Sequence, residues 1–114
     1  MNDTIEYNKA CDLDDIWEGE MEVFEVKGQD VLIVHAPGGE IRAYDPICPH
    51  QYHPLIEGDF EGCILTCSAH LWQFDVLSGD GVNPEGVALN AYPVKVEDDS
   101  ILVSLPAKKT DVNG

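Results

Sequence analysis

The chain has 114 residues, enough for one domain with a single core and not two. With 22 acids against 6 bases its formal net charge is −16, which excludes nucleic acid and disfavours an anionic membrane surface as partners, since both need clustered Lys and Arg. A hydrophobic content of 44% belongs to a soluble globular protein, no run is long enough to span a membrane, and the polar start Met1-Asn2-Asp3-Thr4 lacks a signal peptide's plan, so a cytoplasmic location is expected.

In chain order, Ile5 to Ala10 alternates and predicts a first strand. Asp12 to Trp17 has the acidic start of a short helix or turn, with Leu13, Ile16 and Trp17 at one-turn spacing. That spacing makes Trp17 a core residue. Met21 to Val26 is a strand, Lys27 to Asp30 a Gly-containing hairpin turn, and Val31 to His35 a continuous apolar strand covered on both faces. Glu40 to Tyr44 alternates again after the turn at Pro37-Gly38-Gly39. His35, at a strand end, is expected to be a hydrogen-bonded structural residue. Glu57 to Gly62 is a polar turn, carrying Glu57, Asp59 and Glu61. Strands follow over Cys63 to Thr66, Leu71 to Asp75, Tyr92 to Val96 and Ser100 to Leu105, with turns at Ser78 to Gly81 and Asn83 to Gly86. Residues 106–114 show no apolar periodicity, and a frayed tail is expected there. Short strands separated by turn signals predict an all-β fold, an antiparallel sandwich or small barrel, over residues 1–105.

Two stretches carry chemistry. Cys48-Pro49-His50 is followed, sixteen residues later, by Cys67-Ser68-Ala69-His70. Each offers a thiolate and an imidazole, and four such donors from two loops point to a metal centre. A Cys₂His₂ set can close a tetrahedron around zinc, although zinc modules usually pair two Cys and then two His. A [2Fe–2S] cluster needs two ligand pairs, and the mixed spacing lets each loop give one ligand to each iron. Cys11 and Cys63 remain as buried or partly buried thiols; a disulfide between them is the lesser reading in a reducing compartment. No Gly-rich nucleotide fingerprint and no catalytic triad pattern stands out.

Through Cys48-Pro49-His50 and Cys67-Ser68-Ala69-His70 the chain resembles the Rieske ferredoxin family. The resemblance implies one Rieske [2Fe–2S] cluster in a part spanning about residues 46–75, with Cys48 and Cys67 on the inner iron and His50 and His70 on the outer. Rieske proteins of cytochrome bc complexes add a disulfide over the cluster and two hydroxyl donors to its sulfurs. This sequence has His53, Ala69, Trp72 and Phe74 at those positions, which implies a potential near the low end of the range, roughly −150 mV. His53 is expected to face solvent, Trp72 to pack beside the cluster, and Pro54 and Pro84 to stiffen loops.

Asp14 to Glu22, Cys48-Pro49-His50-Gln51 and Ala69-His70-Leu71-Trp72 are similar to the ferredoxin components of toluene/o-xylene monooxygenases. That implies a soluble, monomeric one-electron carrier rather than an enzyme. Its partners would be an NADH-dependent reductase as donor and a diiron hydroxylase as acceptor, in aromatic-hydrocarbon oxidation. The rivals are a ferredoxin of an aromatic-ring dioxygenase, the small Rieske-like subunit of a nitrite reductase, and a zinc-stapled binding module.

Overall fold

The computed structural model describes residues 7–47, 54–67, 72–83 and 86–105. Every strand pairing among them is antiparallel, in three sheets. β1 (Asn8–Asp12) pairs with β11 (Ser100–Val103), which pairs with β10 (Val94–Glu97). β2 (Glu20–Val26), β3 (Gln29–Ala36), β4 (Glu40–Tyr44) and the short β9 (Ala91–Tyr92) form the second sheet in that order. β5 (Asp59–Glu61), β6 (Ile64–Thr66), β7 (Gln73–Asp75) and β8 (Gly81–Asn83) form the third.

The middle sheet separates two apolar cores. Successive side chains of a strand point to opposite faces. On β3, Leu32, Val34 and Ala36 therefore enter one core, with Tyr44, Leu55, Leu65, Cys67, Phe74, Val76 and Leu89. Val31 and Ile33 enter the other, with Cys11, Ile16, Val26, Ile101 and Val103. This is why the Val31–Val34 run has no polar member: all four side chains are fully buried. Cys11 and Cys63 are free thiols on opposite sides of this sheet, Cys11 inside one core and Cys63 at the edge of the other, so they cannot meet.

The hairpins follow local chemistry. Lys27 and Gly28, at φ 52° and 79°, join β2 to β3, and Asp98 and Asp99, at 52° and 65°, join β10 to β11. Two consecutive positive φ angles match the right-handed twist of the flanking strands. His35 bonds through Nδ1 to the carbonyl of Ile16 at 3.1 Å, a structural role as expected.

Four expectations need correction. The first strand runs over Asn8–Asp12 rather than from Ile5; residues 5 and 6 lie outside the described residues. Trp17 is not core but 73% exposed. The helical turn stops at Asp15 after three residues, and Ile16 is already extended (φ −141°, ψ 126°). Neighbours on extended backbone point to opposite sides, so burying Ile16 turns Trp17 outward. The polar turn at Glu57–Gly62 contains a strand, β5, whose Phe60 faces the core between exposed Asp59 and Glu61. The strand predicted over Tyr92–Val96 is two: Pro93 offers no N–H, Tyr92 pairs with β4, and Val94 to Glu97 pair with β11.

Candidate metal centre

Of the four predicted ligands, Cys67 is described; Cys48, His50 and His70 lie outside the described residues, as do His53 and Pro84. The structure shows the roots from which both ligand loops spring. The first loop leaves β4 through Asp45, whose N–H donates to the Asn90 carbonyl at 2.8 Å. The Asp45 carboxylate accepts the Ile47 N–H at 3.0 Å, an Asx turn that ends the strand. Ile47 then bridges to Pro54, and the Leu55 N–H donates to the Pro46 carbonyl at 2.8 Å. Residues 48–53 are thus closed at their base, and Cys48 is the first residue beyond it.

The second loop caps the β6–β7 hairpin. Thr66 pairs with Gln73, and the Cys67 N–H donates to the Trp72 carbonyl at 2.7 Å. Residues 68–71 are closed in the same way, with Cys67 at the root. Its thiol is free and fully buried, in one core with Leu55, Leu65 and Phe74. Trp72 is half-buried and packs on that core. Phe74, at a position where bc-type proteins carry a hydroxyl, is fully buried and has none to donate.

A glycine brings the two roots together. After the first loop, Leu55–Glu57 make one 3-10 turn, with Leu55 fully buried. The chain then meets the end of β6 at Gly58. A Cβ there would clash with the Thr66 carbonyl oxygen and lie 3.3 Å from the Cys67 Cα. Backbone packs directly on backbone, a use reserved to glycine. Sequence reasoning treated Gly58 as a turn residue. The signal available, a Gly flanked by acids on a strand edge, does not separate a turn from a close approach.

The donor set suits a metal cluster. A buried thiol at the root of one loop, with the chain leaving the other loop packed on the backbone of that root, gives the cover that a Cys-bound iron would need. Among the described residues, which include only Cys67 of the four predicted ligands, no group of three or more His, Cys, Asp or Glu able to hold a metal occurs. Near the roots the charge is negative: Asp45, Glu57, Asp59 and Glu61. The described ion pairs Lys9–Asp12, Arg42–Glu40 and Lys95–Glu97 are exposed and add little stability.

Residues 6–93 match the Rieske [2Fe-2S] domain. The chain belongs to the Rieske [2Fe–2S] family. A Rieske [2Fe–2S] cluster is therefore its cofactor. Within the family, the chain is 48% identical over 102 residues to the ferredoxin component of an alkene monooxygenase system from Xanthobacter autotrophicus, covering 89% of this chain and 83% of the relative. It is 32% identical over 103 residues to the ferredoxin component of a naphthalene 1,2-dioxygenase system from Pseudomonas putida, covering 90% and 98%. The solved ferredoxin of carbazole 1,9a-dioxygenase from Nocardioides aromaticivorans superposes with a TM-score of 0.75 at 29% identity, over 86% of this chain and 96% of that one. The all-β expectation is met by the antiparallel sheets and these Rieske neighbours.

Proposed function

We propose that this Rieske protein is a one-electron carrier between a reductase and an oxygenase, and not itself an enzyme. One observation carries the reading: the fully buried Cys67 thiol stands at the root of one loop, and the chain leaving the C-x-H loop packs at Gly58 on the Thr66–Cys67 backbone of that root. In this reading Cys48 and Cys67 hold the inner iron and His50 and His70 the outer, within a cluster-binding part of about residues 46–75 in a single domain over 1–105. When bound, the cluster supplies a site that accepts and returns one electron.

The chain's own residues set the terms of that exchange. The thiol pair neutralises charge at the covered iron; the imidazole pair adds none, so the centre accepts an electron more readily than a four-Cys cluster. Leu55, Leu65 and Phe74 keep water from Cys67. The carboxylates near the loop roots oppose added negative charge and, without a hydroxyl at Phe74, keep the potential near the low end of the range, roughly −150 mV.

The donor in this reading is an NADH-dependent reductase and the acceptor the diiron hydroxylase of a hydrocarbon monooxygenase. The 48% relative, a monooxygenase component, favours a monooxygenase over the dioxygenase systems of relatives nearer 32%. The net charge of −16 opposes self-association, which supports a monomer. Outside the proposed ligand set, Cys11 and Cys63 are free thiols, which accords with a reducing cytoplasm; no helix among the described residues is long and apolar enough to cross a membrane.

The test is reconstitution. Purified protein mixed with reductase, hydroxylase and NADH is expected to support substrate oxidation that stops when it is omitted. Colourless material without iron and acid-labile sulfide after anaerobic isolation would overturn the reading in favour of a zinc module.

A further inference from the structure

Trp17 is an exposed indole on a rigid mount. At 73% exposure it stands apart from the other large apolar side chains of the described residues, none of which exceeds 44%. Its backbone is pinned from several sides. The Trp17 N–H donates to Glu20 Oε1 at 3.0 Å, and the Glu20 N–H donates back to the Trp17 carbonyl at 3.0 Å. The Gly19 N–H reaches the His35 carbonyl at 2.7 Å, and His35 Nδ1 holds the Ile16 carbonyl. The Glu18 carboxylate accepts the Gly38 N–H at 2.7 Å, tying the turn to the β3–β4 hairpin. None of these bonds uses the indole.

Beside the ring lies a cavity of about 410 Å³ lined by Leu13, Asp14, Ile16, Trp17, Glu18 and His35. Its floor is apolar and its rim acidic. Nearby, Asp15 and Asp99 are exposed as well, and the Asp99 backbone carbonyl accepts the Leu13 N–H at 2.8 Å. The neighbouring base, Lys9, is engaged by Asp12 at 2.7 Å.

Free in water, a polar residue would serve this turn better than an indole. In an interface the same indole costs little to order, because its mount is already fixed. Trp is enriched among the few residues that carry binding energy, and acidic rims meet basic ones. A second copy of this chain is a poor occupant, since each copy carries −16. We propose that Trp17 and its acidic rim form a docking surface for a basic face of a redox partner, one that receives the indole in an apolar slot framed by Lys or Arg. This rests on the electron-carrier reading.

The experiment is a titration of the holoprotein against purified reductase and purified hydroxylase, with half-saturation read from NADH oxidation and from substrate turnover. Trp17→Ala is expected to raise the half-saturating concentration for at least one partner by about 30-fold, and Trp17→Phe by less. The visible spectrum and midpoint potential should not move, because no described bond to the site runs through the ring. Asp14→Asn with Asp15→Asn should flatten the salt dependence of the same partner's titration. Wild-type half-saturation for both partners in Trp17→Ala, with electron transfer intact, overturns the docking surface and leaves the carrier reading standing. Wild-type protein that passes no electrons to any hydroxylase overturns the carrier reading and the surface with it.

Discussion

Replacing Gly58 with Ala tests whether the two ligand loops are held together by backbone contact. Gly58 sits at φ −88° and ψ −165°, extended backbone that any residue adopts, so the cost is steric alone. The new Cβ would clash with the Thr66 carbonyl oxygen and lie 3.1 Å from the Thr66 carbonyl carbon and 3.3 Å from the Cys67 Cα. None of these atoms is the end of a flexible side chain. Thr66 is paired to Asp59 on one side and Gln73 on the other, so it cannot retreat without breaking the third sheet. Overpacking costs about 1–3 kcal/mol, and an overlap with fixed backbone belongs at the upper end, about 3 kcal/mol. For a domain of this size that lowers the apparent melting temperature by about 10–15 °C. Because the displaced atoms lead into Cys67, iron and acid-labile sulfide per chain should fall as well. Gly62→Ala is the control. Gly62 is at φ 63° with nothing within 4 Å of where a Cβ would stand, so the substitution costs only left-handed strain, about 1 kcal/mol, and leaves cluster content alone. A Gly58→Ala protein that melts within about 2 °C of wild type with full iron and sulfide would refute the close approach as the device that joins the loops.

Three further outcomes are expected. His50→Cys or His70→Cys should abolish the Rieske signature in the electron paramagnetic resonance spectrum of the reduced protein; an unchanged spectrum removes that residue from the ligand set. Electron transfer to the acceptor should slow as ionic strength rises to about 0.15 M, where exposed charges are screened beyond roughly 8 Å, and a flat response would reduce the −16 charge to a solubility device. Stability should decline at alkaline pH. Burial pushes the Cys11 thiol from 9.0 to about 11, with Asp15 and Asp12 adding to it, and burial pushes the Tyr44 phenol from 10.0 to about 12. The unfolded chain loses these protons first, so the contribution is complete below pH 9 and is lost as pH rises through the folded values. Tyr44→Phe should flatten the decline above pH 10 in a denaturant titration. It should also lower stability near neutrality by about 1–3 kcal/mol, since the buried Val76 carbonyl loses the hydroxyl that donates to it.

The hairpins and the doubly covered β3 are legible because each is a short-range pattern, and the proposed ligand boxes are patterns of the same kind. Cys48-Pro49-His50 and Cys67-Ser68-Ala69-His70 specify their donors by spacing. Lys27-Gly28 and Asp98-Asp99 specify their turns by the φ angles they tolerate. An unbroken Val31–Val34 specifies burial on both faces. Helical spacing places Trp17 in the core only if the turn continues past Asp15, and the reach of a three-residue turn is decided by what Ile16 packs against. β8 was missed because Gly81 and Asn83 have turn chemistry; its pairing to β7 is set by a neighbour, not by propensity.

The amino-acid sequence alone determined which atoms could bind metal, the all-β character and the acidity, since each depends on residue type and local order. The tertiary structure decided which backbone segments touch. That Gly58 lies on Cys67, that Cys67 is dry and that Trp17 is wet all follow from contacts between residues brought together by sheet pairing, where shape and excluded volume act and no local pattern records the outcome.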